Sequence, residues 1–138
     1  MIRLTNKTRQ DFLDKEWSDK FTEAGVPMGD NKYWIVIIDG TEYITEDKTL
    51  VMVNTLINCE CYPTYTLSEL QLKLNEWHPE YKGFIMWKDA PFYFAQYKGA
   101  PDNSPYVCYN ELPLYAAAQL VLNCVKNGFG VVQDVSDK

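Results

Sequence analysis

The chain has 138 residues, 46% of them hydrophobic and 23% charged, a balance that suits one globular domain and excludes disorder along its whole length. Its formal net charge is −6, which disfavours a large phosphate-binding surface. No apolar run approaches the roughly 18 residues of a membrane span, and Met1 to Lys7 lacks the apolar stretch of a signal peptide. The expectation is a cytoplasmic chain forming a single domain over 1–138, with 131–138 as a flexible tail.

The first helix is predicted from about Thr8 to Ala24. Thr8 and Asp11 have the spacing of a capping box, and Leu13, Trp17, Phe21 and Ala24 form an apolar stripe opposite a charged face. Gly25, with Val26-Pro27 behind it, supplies a stop. Tyr33 to Ile38 is β-rich, and the Asp39-Gly40 pair after it is a strong hairpin signal that returns the chain as a strand from Thr41 to Thr45. Thr49 to Leu56 reads as a third strand, which would complete a meander.

Thr66-Leu67-Ser68-Glu69 is a complete capping box and opens a second helix with the stripe Leu67, Leu70, Leu74 and Trp77, ending before His78-Pro79. A second hairpin follows, from Gly83–Lys88 and Phe92–Tyr97 with Pro91 in the turn, and Tyr106–Tyr109 forms a short edge strand. The last helix spans Pro113 to Asn127. The predicted class is α+β, an antiparallel sheet of about five strands (meander plus aromatic hairpin) with three packed helices, in the order α-βββ-α-ββ(β)-α.

Residues that carry chemistry are sparse. The cysteines are Cys59, Cys61, Cys108 and Cys124; the Cys59-Glu60-Cys61 spacing is tighter than a zinc site needs, and free cysteine more often acts as a small buried hydrophobe. His78 is the only histidine, and no nucleophile elbow or protease signature accompanies Cys108 or Cys124. The glycines are scattered and form no phosphate loop. No catalytic residue, metal or cofactor is therefore assigned.

The unusual stretch is 81–97, where Tyr81, Phe84, Trp87, Phe92, Tyr93, Phe94 and Tyr97 place aromatic rings on both faces of the hairpin. Either both faces are buried between helices, or one is a contact surface of the kind Trp, Tyr and Phe anchor.

Tyr62-Pro63-Thr64-Tyr65-Thr66-Leu67-Ser68-Glu69-Leu70, then the aromatic hairpin, then a helix closing on Lys126-Asn127-Gly128, resembles a set of small uncharacterised proteins encoded in phages and prophages of gut bacteria. The likeness runs from about Phe12 to Phe129 and consists of structural punctuation. It implies a mobile-element origin and brings no catalytic residue with it. The chain departs from that pattern in a longer Ala100–Pro105 insertion and in the Cys59-Glu60-Cys61 pair.

The expected function is that of a small non-enzymatic binding protein acting by protein–protein contact, on a host factor or on a second copy as a homodimer, with no membrane involved. The alternative is a small-ligand or single-stranded nucleic-acid binder using the same seven aromatic residues as a sheet face; the acidic charge disfavours nucleic acid.

Overall fold

In the computed structural model, which describes residues 1–27, 31–57, 59–77 and 81–128, the chain opens with a two-residue strand, β1 (Ile2–Arg3), and a 3-10 turn at Arg9–Asp11. The helix expected from Thr8 starts later, as α1 (Lys15–Ala24). The Thr8 hydroxyl accepts the Thr5 N–H at 2.9 Å, and Phe12 is extended, so the helix cannot run through it. Asp14 is the cap instead, accepting the Trp17 N–H at 3.1 Å. At the other end Gly25 adopts φ 84°, and the Val26 N–H donates to the Phe21 carbonyl at 2.9 Å, closing a Schellman motif over the buried Val26. Leu13, outside the helix, is still fully buried: it is held to the chain beside Thr64, whose hydroxyl donates to its carbonyl at 2.7 Å.

Strands β2 (Tyr33–Ile38) and β3 (Thr41–Thr45) pair around Asp39-Gly40, whose φ values of 50° and 78° are those of a type I′ turn. Thr49 to Leu56, expected as the meander's third strand, is instead helix α2 (Lys48–Leu56). Its β-branched residues favour a strand by composition. The Asp47 carboxylate, however, accepts the N–H groups of Thr49 and Leu50 at 2.9 and 3.3 Å, and the Val51 N–H donates to the Asp47 carbonyl at 3.2 Å. A capped first turn satisfies those donors locally and leaves no ladder to extend. The place beside β2 goes to β4 (Glu60–Thr64), giving the order β1-β3-β2-β4, and α2 lies on β2 and β4 with Val51 inward.

Helix α3 (Leu67–Glu76) begins with the expected capping box: the Glu69 N–H donates to the Thr66 hydroxyl at 3.3 Å, and the Thr66 N–H to the Glu69 carboxylate at 2.9 Å. The expected stop at His78-Pro79 lies outside the described residues. The second sheet is β5 (Lys82–Asp89), β6 (Phe92–Lys98) and β7 (Val107–Asn110), antiparallel in that order, with Pro91 in the hairpin turn as expected. Helix α4 (Pro113–Lys126) packs on β6, β7, α3 and α1. Its Ala116-Ala117-Ala118 run is fully buried, small enough to let the helix lie close on its neighbours.

The class is thus α+β with antiparallel pairing, as expected. Among the described residues it comprises four α-helices and sheets of four and three strands, in place of a single sheet of about five strands with three helices. The main core gathers around α4, and a smaller one, Ile35, Ile44 and Tyr62, lies on the first sheet.

Candidate interaction surface

Alternation along β6, the central strand of the second sheet, sorts the aromatic residues. Tyr93, Ala95 and Tyr97 point to the side covered by α4, and their register partners Phe84 and Met86 on β5 and Cys108 on β7 share that side. Tyr97 is fully buried, and its hydroxyl donates to the Leu74 carbonyl of α3 at 2.6 Å. Burial holds its phenol protonated well above the ordinary tyrosine range.

The other side carries Phe92 and Phe94 from β6, Ile85 and Trp87 from β5, and Tyr109 from β7. Here the rings pack on one another. Trp87 and Phe94 stack with centroids 4.1 Å apart and planes 6° from parallel. Tyr109 bridges to Phe94 at 5.5 Å and to Phe92, edge-on, at 5.2 Å. The Trp87 indole N–H donates to the Gln96 side-chain oxygen at 2.6 Å, which fixes the indole ring. None of Trp87, Phe92, Phe94 and Tyr109 belongs to either core, and Trp87 and Tyr109 are 42% and 60% exposed.

The seven residues singled out in the sequence therefore divide. Trp87, Phe92 and Phe94 lie on the outer face. Tyr81, Phe84 and Tyr93 pack against the core, and Tyr97 is inside it, so these four are corrected out of the candidate surface. The physical reason is the covering of one sheet face by α3 and α4, which the local sequence of the hairpin does not disclose. Tyr109 is the member missed, although the strand predicted at Tyr106–Tyr109 contained the signal: alternation and register set it beside Phe94.

Burial pushes the Cys108 and Cys124 thiols up to about 12; the Asn123 amide opposes this at Cys108, while Cys108 adds to it at Cys124. Both are thus neutral, weakly nucleophilic groups at physiological pH. Cys59 and Cys61 are half-buried, and the Cys61 thiol lies 3.9 Å from the Val51 carbonyl. Among the described residues no group of three or more His, Cys, Asp or Glu is placed to hold a metal ion, and His78 lies outside them. On the first sheet Arg9 pairs with Glu42 at 3.0 Å, and the Tyr62 hydroxyl donates to the same carboxylate at 3.1 Å, a tether for the chain that crosses that sheet. A cleft of ≈ 320 Å³ where α3 and α4 begin has Asp11 as the one titratable lining group among the described residues.

No helix of the described residues is long and apolar enough to cross a membrane. The chain matches no protein-family model, no curated protein and no solved structure.

Proposed function

We propose that this chain is a non-enzymatic interaction protein that binds another protein through the outer aromatic face of its second sheet. The observation that carries this reading is the mutual packing of the Trp87, Phe94, Tyr109 and Phe92 rings, with Trp87 and Phe94 stacked, on a face outside both cores. Rings already fixed by one another and by the Trp87–Gln96 hydrogen bond lose little freedom when a partner covers them. Trp and Tyr in such a position are the residues around which binding energy concentrates.

Charge supports a protein as the partner. The outer face bears Asp89 opposite Phe92, while Lys98, on the same side by alternation, stands at the far end of β6, in a chain of net charge −6. Phosphate beside the rings would meet Asp89, with Lys98 four residues along β6 from Phe94. This reading takes the chain to act in the cytoplasm and, on its resemblance to phage and prophage proteins, takes a host factor as the class of partner.

The test uses the full chain immobilised from cells of its own kind beside a Trp87→Ser/Tyr109→Ser variant. A discrete protein retained by the first and lost from the second, with circular dichroism unchanged, is the expected result. Equal retention by both would refute the assignment, and salt-sensitive capture of short oligonucleotides would replace it with the nucleic-acid reading.

A further inference from the structure

Sheet edges present unpaired backbone groups, and among the described residues three of the four edges are blunted. Strand β1 is two residues long, β4 contains Pro63 and has α2 against it, and β7 is four residues long and packed on α4. Strand β5 differs. A bulge at Gly83 disturbs its start, but Phe84 to Asp89 pair regularly with β6 and include no proline. Trp87, Lys88 and Asp89 are exposed.

Hydrogen-bond parity identifies the outward groups. The Tyr97 N–H donates to the Tyr106 carbonyl at 3.2 Å, so Tyr93, Ala95 and Tyr97 aim their backbone groups at β7, and Phe92, Phe94 and Gln96 aim theirs at β5. Their register partners are Asp89, Trp87 and Ile85. The N–H and C=O of Phe84, Met86 and Lys88 therefore point away from β6, and no backbone group among the described residues outside the sheet bonds them. Beside them the aromatic row ends openly. Trp87 gives one face to Phe94 and turns the other away from β6, past the edge. Lys88 lies over the Tyr93 ring at 5.1 Å and has no carboxylate partner among the described residues.

We propose that an extended segment of the partner protein adds to the second sheet antiparallel along β5, bonding the backbone of Phe84, Met86 and Lys88. The proposal rests on the reading of the outer aromatic face as a protein-binding surface and names the form of the partner. Alternating N–H and C=O groups are matched by another extended polypeptide, a chemistry that an apolar surface alone does not specify. Neighbouring side chains set the segment's sequence. The position opposite Trp87 is a non-hydrogen-bonded pair, where side chains approach most closely, so an aromatic residue there continues the row of rings. The residue before it stands across from Lys88 and is acidic; the one before that faces Asp89 and is basic. A second copy of β5 does not fit, because its one acid, Asp89, lies on the other face from Lys88 in every antiparallel register.

The probe is the blocked peptide Thr-Arg-Glu-Phe-Thr-Val-Thr, which sets Arg, Glu and Phe opposite Asp89, Lys88 and Trp87. Added at up to millimolar concentration to the isotope-labelled full chain, it should shift the Phe84, Met86 and Lys88 amide signals and slow their hydrogen exchange. N-methylation of its Glu, whose N–H faces β5, should weaken binding roughly tenfold or more, and N-methylation of its Phe, whose N–H faces away, should change it little. Lys88→Pro removes an N–H that β6 does not use, so it should abolish binding with the fold intact. No response of those amides, or equal loss on methylating either position, would overturn the proposal. So would self-association of the free chain that Lys88→Pro abolishes, which gives the edge to a second copy. Any of these results leaves the aromatic face to stand or fall by its own capture experiment, so the two failures are told apart.

Discussion

Trp87 and Phe94, directly opposite each other on β5 and β6, stack face to face with centroids 4.1 Å apart and planes 6° from parallel. They lie on the side of the sheet away from α4, so their contact is between two surface residues. The pair gives the outer face a rigid floor. Tyr109 extends that floor onto β7.

A double-mutant cycle on this pair, with Trp87→Leu and Phe94→Leu, should return a coupling of about 0.5–1.5 kcal/mol from urea unfolding. Coupling indistinguishable from zero would mean that the rings do not stack in solution.

The inner face should respond differently. Tyr97→Phe removes the hydroxyl that donates to the Leu74 carbonyl at 2.6 Å and leaves a buried acceptor short of its partner. A loss of about 1–2 kcal/mol is expected. Tyr109→Phe, at an exposed site, should change stability by less than about 0.5 kcal/mol. The contrast between the two tyrosines, measured by denaturant midpoints, reads out which face is covered.

Helix α2 depends on Asp47. Asp47→Ala should cost about 1 kcal/mol and lower far-ultraviolet helix content, because the Thr49 and Leu50 N–H groups lose their acceptor. Were the segment a strand, the substitution would leave helix content alone.

Cys108 and Cys124 give the fold an alkaline limit. Burial raises both from an ordinary value near 9 to about 12, so the folded state holds these protons more tightly than the unfolded one. Their contribution to stability is complete below about pH 9 and is lost as pH rises towards 12. Tyr62 and Tyr97, raised by burial from 10, extend the decline in the same direction. Unfolding midpoints from pH 7 to 11 should be flat and then fall. In thiol-modification kinetics Cys108 and Cys124 should react only as the protein opens, well after Cys59 and Cys61.

How much of this was legible in the sequence depended on whether a signal was local. The Thr66–Glu69 capping box, the Asp39-Gly40 turn, Gly25 and Pro113 each act within a few residues, and each is where the sequence puts it. Thr8 has the same local form but is occupied by Thr5, and Asp14 three residues past Asp11 takes the cap. Thr49–Leu56 misleads because β-branched composition and a helix cap compete, and Asp47 decides in favour of the cap. The aromatic stretch shows that two faces exist without showing which one is covered, since the covering helices α3 and α4 lie outside the hairpin's own residues. Tyr109 was within reach, through strand alternation.

The central claim is that the outer aromatic face receives a protein, and site-specific photocrosslinking tests it most directly. A photoreactive phenylalanine analogue at position 109 of the full chain, irradiated in cells, should give one discrete protein adduct that disappears when Trp87→Ser is added. No protein adduct from position 109, or an adduct that survives Trp87→Ser unchanged, would contradict it.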